Sequence, residues 1–313
     1  MTRAEATQRA VALVTNIEKV IIGKRHVVRD AVAALLAQGH ILIEDVPGVG
    51  KTMLARAIAK SIAGEFRRIQ FTADLLPSDI SGVNIFHQNK GEFSFRPGPI
   101  FANVLLGDEI NRATPRTQSS LLEAMEEKQV TVDGVHHGLA RPFLVLATQN
   151  PIELEGTYPL PFAQMDRFII RVQIGYLTAD QEKEMVQSRI NRQPIDDCTV
   201  VVDSAELIEM QDVVRHVQVA DALLDYIVAI VRATRSVANL EYGASPRGTL
   251  DLTRYSQAQA LLADRDYVLP DDIKSSAGVV LSHRVIVKKG TRHATLHTNT
   301  LINELVESVP VPV

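Results

Sequence analysis

Glu44-Asp-Val-Pro-Gly-Val-Gly-Lys-Thr52 (EDVPGVGKT, residues 44–52) falls one letter short of a phosphate-binding loop. The pattern G-x-x-x-x-G-K-[ST] asks for glycine at position 45, where this chain has Asp45. The surroundings still suit the loop: the apolar run HILI (40–43) precedes it and a helical stretch follows. Gly48 and Gly50 let backbone N–H groups crowd around phosphate oxygens. The helix starting near Lys51 adds its positive dipole end. Lys51 is placed to reach β and γ phosphates, and Thr52 to offer its hydroxyl to Mg²⁺. Asp45 is read as the bend leaving the strand, with its carboxylate turned from the phosphates because like charges at that range repel. The candidate nucleotide-binding residues are thus Asp45, Pro47, Gly48, Val49, Gly50, Lys51, Thr52 and Met53.

Around the loop, short apolar strands alternate with helices. The strands are HILIED (40–45), FRRIQF (66–71), NVLLGDE (103–109), FLVLATQ (143–149) and RFIIRVQI (167–174). Helices are expected within 1–38, with a break at Gly23, and over 53–64 and 115–128, the latter with a Thr114 cap and Pro115 at its first position. Apolar strands separated by helices imply an α/β fold with a parallel sheet covered on both faces. Residues 82–95 and 129–137 interrupt this rhythm as hairpins, turning at QNKG and at Asp133-Gly134. Beyond about residue 176 the pattern becomes helical, over 179–193, 204–217, 220–237, 247–263 and 271–281. The expected division is a nucleotide-binding core over 1–178 and a helical lid over 179–313.

Four further stretches carry chemistry. VLLGDEINRA (104–113) delivers Asp108 and Glu109 at the C-terminal end of a strand, where open α/β sheets bind ligands. Asp108 suits Mg²⁺ through its water shell, and Glu109 suits deprotonating a water. FLVLATQNP (143–151) ends in Asn150, an amide able to meet that water or a γ-phosphate; otherwise Asn-Pro is turn chemistry. Arg167, in FAQMDRF, stands at the start of the last strand, at the sheet's other end from Lys51. It suits a neighbouring subunit's nucleotide, the alternative being a pair with Asp166. Arg247, in GASPRGTL, opens a lid helix and is expected to swing onto the γ-phosphate as the lid closes. Arg112 is read as a contact to a neighbour or a surface ion pair.

The 313 residues are 46% hydrophobic and 22% charged, a globular composition, and the net charge of −4 argues against a dominant nucleic-acid footprint. The single cysteine, Cys198, precludes an internal disulfide and fits a reducing cytoplasm. No signal peptide and no transmembrane segment are expected. Neither His136-His137 nor His283, His293 and His297 show metal-ligand spacing.

In order, these motifs resemble the AAA+ ATPases, in the wording of the MoxR family: LIEDVPGVGKT, QFTADLLPSDISG, GPIFANVLLGDEINRA, ATQNPIELEGTYPLPFAQMDRF, YGASPRGTLDL and VLSHRV. The likeness extends from IIGKRHVV (21–28) to VESVPVPV, and in that family Asp45 is the usual residue. Gly107 stands where alanine is more typical. The resemblance implies a five-stranded parallel sheet in order 5-1-4-3-2 with a helical lid. It also implies ATP and Mg²⁺ as cofactors, Asn150 as sensor 1, Arg167 as arginine finger and Arg247 as sensor 2. It further implies a homo-oligomeric ring, commonly a hexamer, that remodels client proteins, often with von Willebrand factor A-domain partners. The hairpins would face substrate or pore. Competing readings are a DNA-associated motor or loader, a metal-chelatase subunit, and a nucleotide switch that binds ATP without consuming it.

Overall fold

A computed structural model describes residues 1–151, 156–190, 193–288 and 298–312. His293 and His297, and residues 191 and 192 of the helix expected over 179–193, lie outside the described residues.

Helices α1 (Arg3–Glu18) and α2 (Arg25–Leu36) lead into strand β1 (Ile41–Glu44) and helix α3 (Lys51–Ser61). Next come β2 (Phe66–Gln70), α4 (Pro77–Ser81), the hairpin β3 (Gly82–His87) and β4 (Glu92–Pro97), then β5 (Val104–Asp108) and α5 (Pro115–Glu127). The hairpin β6 (Gln129–Val132) and β7 (Val135–Gly138), β8 (Leu144–Gln149), α6 (Phe162–Met165) and β9 (Ile170–Val172) complete the sheet region. The remainder holds α7 (Ala179–Arg189), α8 (Ser204–Arg215), α9 (Asp221–Ala233), α10 (Pro246–Leu262), α11 (Pro270–Leu281) and α12 (Thr298–Ser308). A short pair, β10 (Leu240–Tyr242) and β11 (Ile286–Val287), crosses it.

The five-stranded sheet runs β2-β5-β8-β1-β9, each neighbouring pair parallel. Numbered among themselves, these strands give the order 5-1-4-3-2. Side chains alternate between its faces, as period-2 geometry requires. Ile41, Ile43, Val104, Leu106, Leu144 and Leu146 join one apolar core with α1, α2, α3 and the later helices. Leu42, Leu105, Val145 and Ala147 join a second with Phe71, Leu121 and Phe168. This two-sided burial explains why the strands read as continuous apolar runs.

Three details differ from the sequence reading. The last strand spans only Ile170–Val172, and α4, α6 and α12 join the expected helices. Thr114 sits at the N-cap of α5 but makes no hydrogen bond to a helix N–H; its hydroxyl instead meets that of Thr117 at 3.2 Å. Cys198, in a stretch that reads as polar, is buried beside Asn16 and Ser61.

The two hairpins meet each other off the sheet. Asn84 Nδ2 donates to Asp133 Oδ2 at 2.7 Å, and the His137 ring stacks on Phe95 with centroids 3.8 Å apart. Phe86 and Phe93, 5.0 Å apart, stay exposed on the first hairpin.

Arg284 fastens the later helices to the sheet. It is 1% exposed, yet its Nη2 donates to Asp251 on α10 at 2.5 Å and to the Phe168 carbonyl at 2.7 Å. Its Nε lies 2.9 Å from Asp166. A buried guanidinium is tolerated only with such compensation. Ser245 Oγ, at the N-cap of α10, also donates to Asp166, at 2.7 Å.

Candidate active site

β1 ends at Glu44 and α3 begins at Lys51, so residues 45–50 form the expected loop. Gly48 and Gly50 have φ of +87° and +100°, where a side chain is strained, and a Cβ on either would point into open space.

Asp45 is the exception among the loop residues expected to meet a nucleotide. It is buried, and its Oδ1 accepts from Val46 N at 2.8 Å while Oδ2 accepts from Ile174 N and Gly175 N at 2.7 Å each. The carboxylate turns from the cleft, as charge repulsion demands, but its job is to tie the loop to the segment after β9. Its value at this position thus comes from satisfying three N–H groups, which glycine would leave unpaired.

Pro47, Gly48, Gly50, Lys51, Thr52 and Met53 line a cleft of about 360 Å³. Asp108, Glu109 and Asn150 line its other side. Parallel topology explains the convergence: β1, β5 and β8 all end here at their C-terminal ends. Val49 borders a neighbouring apolar cavity of about 210 Å³ with Ile21, Ile22, Tyr176 and Met185. Lys51 Nζ donates to the Asp45 carbonyl at 2.8 Å. Burial lowers its pKa, against the opposing pull of Asp108, Asp45 and Glu109.

Apart from Arg112, the residues that hold the paired acids are ones the sequence reading did not single out. Thr148 Oγ1 donates to Asp108 Oδ1 at 2.6 Å and accepts the Glu109 N–H at 2.9 Å. Arg68 Nη2 donates to Asp108 Oδ2 at 2.6 Å. Glu109 Oε2 accepts from Gln70 Nε2 at 2.8 Å and from Arg112 Nη1 at 2.9 Å, so Arg112 takes the ion-pair option within its own chain. Glu109 has φ +56°, a left-handed conformation that costs on the order of 1–3 kcal/mol in a non-glycine residue. Strand pairing places Gln70 here, opposite Asp108 across β2 and β5.

Arg167 and Arg247 are not brought to this cleft. Ile169 N donates to the His40 carbonyl, placing Arg167 at the N-terminal end of β1, opposite the loop. Its Nε lies 2.8 Å from Glu126 Oε2, so it is not paired with Asp166, which belongs to Arg284. Arg247 Nη1 donates to the other oxygen, Glu126 Oε1, at 2.9 Å. Arg247, expected to swing onto the γ-phosphate as the lid closes, thus stands beside Arg167 and away from the loop of its own chain. The contacts of Arg284 and Ser245 with Asp166 and Asp251 pin the start of α10 to the opposite end of the sheet.

Comparison with known proteins agrees with this architecture. Residues 40–170 match the family described as ATPase family associated with various cellular activities (AAA), and residues 232–305 match the AAA lid domain. The protein YeaC of Bacillus subtilis is 48% identical over 96% of this chain and 94% of its own. Chaperone MoxR1 of Mycobacterium tuberculosis is 38% identical over 95% of this chain and 81% of its own. A crystal structure of a protein assigned as an ATPase, from Cytophaga hutchinsonii, superposes with a TM-score of 0.92 at 37% identity, covering 99% of this chain and 97% of that one.

Sheet order, loop, paired acids and helical lid are those of an AAA+ ATPase. Within that class the chain belongs to the MoxR family. Among the described residues, no helix is long and apolar enough to cross a membrane.

Proposed function

We propose that this protein is a Mg²⁺-dependent ATPase working as a ring of identical chains, with each nucleotide shared between two neighbours. The observation that carries this is the split site: loop and acids lie at one end of the sheet, both arginines at the other. In this arrangement one chain does not bring all of them to one phosphate, which favours a site shared with a neighbour.

The N–H groups of the loop and Lys51 hold the phosphates, and the apolar cavity beside Val49 takes the base. Thr52 and Asp108 place a hydroxyl and a carboxylate in one cleft, an oxygen donor set suited to Mg²⁺, which would neutralise phosphate charge there. Glu109 takes the proton of the attacking water, and Asn150 orients it. Arg167 and Arg247 act on the neighbour's γ-phosphate, where charge develops during transfer. ATP and water become ADP and phosphate.

The exposed Phe86 and Phe93 support client contact through the first hairpin, in keeping with a relative that bears the name chaperone. Lys90 at its tip faces Glu92 at 3.8 Å, which leaves little net positive charge for a DNA motor. The clients are protein complexes awaiting maturation or activation, von Willebrand factor A-domain proteins among them, and the site of action is the cytoplasm.

A mixing experiment tests the shared site. Lys51→Ala and Arg167→Ala subunits, each inactive alone, should regain part of the hydrolysis when combined, since some interfaces then carry both intact halves. Mixtures that stay as inactive as their parents would refute the reading.

A further inference from the structure

The cavity around Arg167 and Arg247, about 430 Å³, is rich in cationic side chains. Its lining includes four cationic residues, Lys128, Arg167, Arg247 and Arg254, and two carboxylates, Glu126 and Asp251. Asp251 is committed to the buried Arg284, at 2.5 Å. His40, also in the lining, is held neutral by burial. Arg247 Nε also lies 4.0 Å from Asp251 Oδ2, so Glu126 is the nearer counter-ion and the one the two arginines share, with one oxygen for each, at 2.8 and 2.9 Å. Two guanidinium groups on two oxygens of one planar anion is also the arrangement that two oxygens of a terminal phosphate would accept.

The position of Glu126 is costly for its helix. It lies in the last turn of α5, which ends Glu126-Glu127, and negative charge there opposes the helix dipole. No lysine or arginine within that turn offsets it. The two arginines, arriving from the turn between α6 and β9 and from the start of α10, supply the compensation.

We propose that Glu126 is a positioning residue that stands in for phosphate: it holds Arg167 and Arg247 together in the unassembled chain and yields them to the terminal phosphate of a nucleotide bound by a second copy. This rests on the shared-site reading above. Glu126 sets the separation of the two guanidinium groups before a neighbour arrives, and it competes with the neighbour's phosphate for them. The Glu126 carboxylate is about 40% exposed, so it has a solvent-facing side towards which it can be displaced.

The test measures ATP-dependent self-association by sedimentation velocity, on the hydrolysis-blocked Glu109→Gln chain so that nucleotide persists. Adding Glu126→Gln keeps the shape and removes the competing charge. The concentration for half-maximal association should fall by roughly fivefold, the scale of two partly exposed ion pairs. In an Arg167→Ala/Arg247→Ala background the same substitution should change nothing, because its effect runs through those side chains. Unchanged or weakened association with Glu126→Gln overturns the inference, as does an equal shift in the double-arginine background. Recovery in the Lys51→Ala and Arg167→Ala mixture, with no effect of Glu126→Gln, would sink the role of Glu126 alone. Failure of that mixture sinks both.

Discussion

The Thr148 hydroxyl joins the two neighbouring acids: it donates to Asp108 at 2.6 Å and accepts the backbone N–H of Glu109 at 2.9 Å. One oxygen thus fixes the rotamer of Asp108 and supports the left-handed backbone of Glu109. Thr148→Val keeps the shape and removes both bonds. Turnover should fall by about ten- to a hundredfold, the usual range for loss of an orienting partner, while nucleotide binding changes little. Steady-state kinetics beside a fluorescent-nucleotide titration separates the two.

Glu109→Gln tests the proposed general base directly. The amide keeps a hydrogen-bonding side chain beside Gln70 and Arg112 but cannot take a proton. Hydrolysis should drop by about 10²–10⁴-fold with ATP still bound. A variant that hydrolyses normally would remove Glu109 from the mechanism and point to a different acid.

Asp45→Gly completes the phosphate-loop sequence pattern and should nevertheless harm the protein. It strips acceptors from the N–H groups of Val46, Ile174 and Gly175. A loss of about 3 kcal/mol is expected, read from urea unfolding. Equal or greater stability would show that these bonds matter less than their geometry suggests.

Arg284→Ala should cost about 3–5 kcal/mol, because Asp166 and Asp251 lose the buried charge that balances them. The same change frees the start of α10, so Arg247 should lose its fixed place beside Arg167. Thermal unfolding measures the first effect. Hydrogen exchange at the first turn of α10 measures the second.

Acid sensitivity has a specific source in His40. Buried, with Nδ1 accepting from Val145 N and Nε2 donating to the Met125 carbonyl, it is pushed down to about 4 from 6.5 by desolvation. The nearby charges of Lys128 and Arg247 push the same way. Because the folded value is the lower one, the unfolded chain binds the proton first. The stabilising contribution is complete above pH 6.5 and is lost as pH falls towards 4, by about 3 kcal/mol in all. His283, buried against the Phe168 carbonyl, shifts in the same direction. His40→Gln should flatten the stability curve over that window, and an unaltered slope would place the acid sensitivity elsewhere.

Much of this was legible in residue order because it depends on local patterns. Apolar runs buried on both faces, the Gly48 and Gly50 turns, and acids at a strand's end are set by period and by backbone sterics, so sheet class and loop could be read directly. Glu126, Thr148 and Gln70 carried no comparable signal. A glutamate ending a helix and a threonine within a strand look ordinary until a distant element arrives beside them.

The sequence by itself determined the class of fold, the phosphate loop and the pairing of Asp108 with Glu109, since short-range spacing and burial pattern suffice for those. Only tertiary structure decided that Asp45 binds the backbone after β9, and that Arg247 joins Arg167 on Glu126 at the far end from Lys51. The reason is that Arg284, Asp166 and Asp251 meet through contacts more than thirty residues apart, and where a lid docks depends on such contacts and not on the pattern within any one segment.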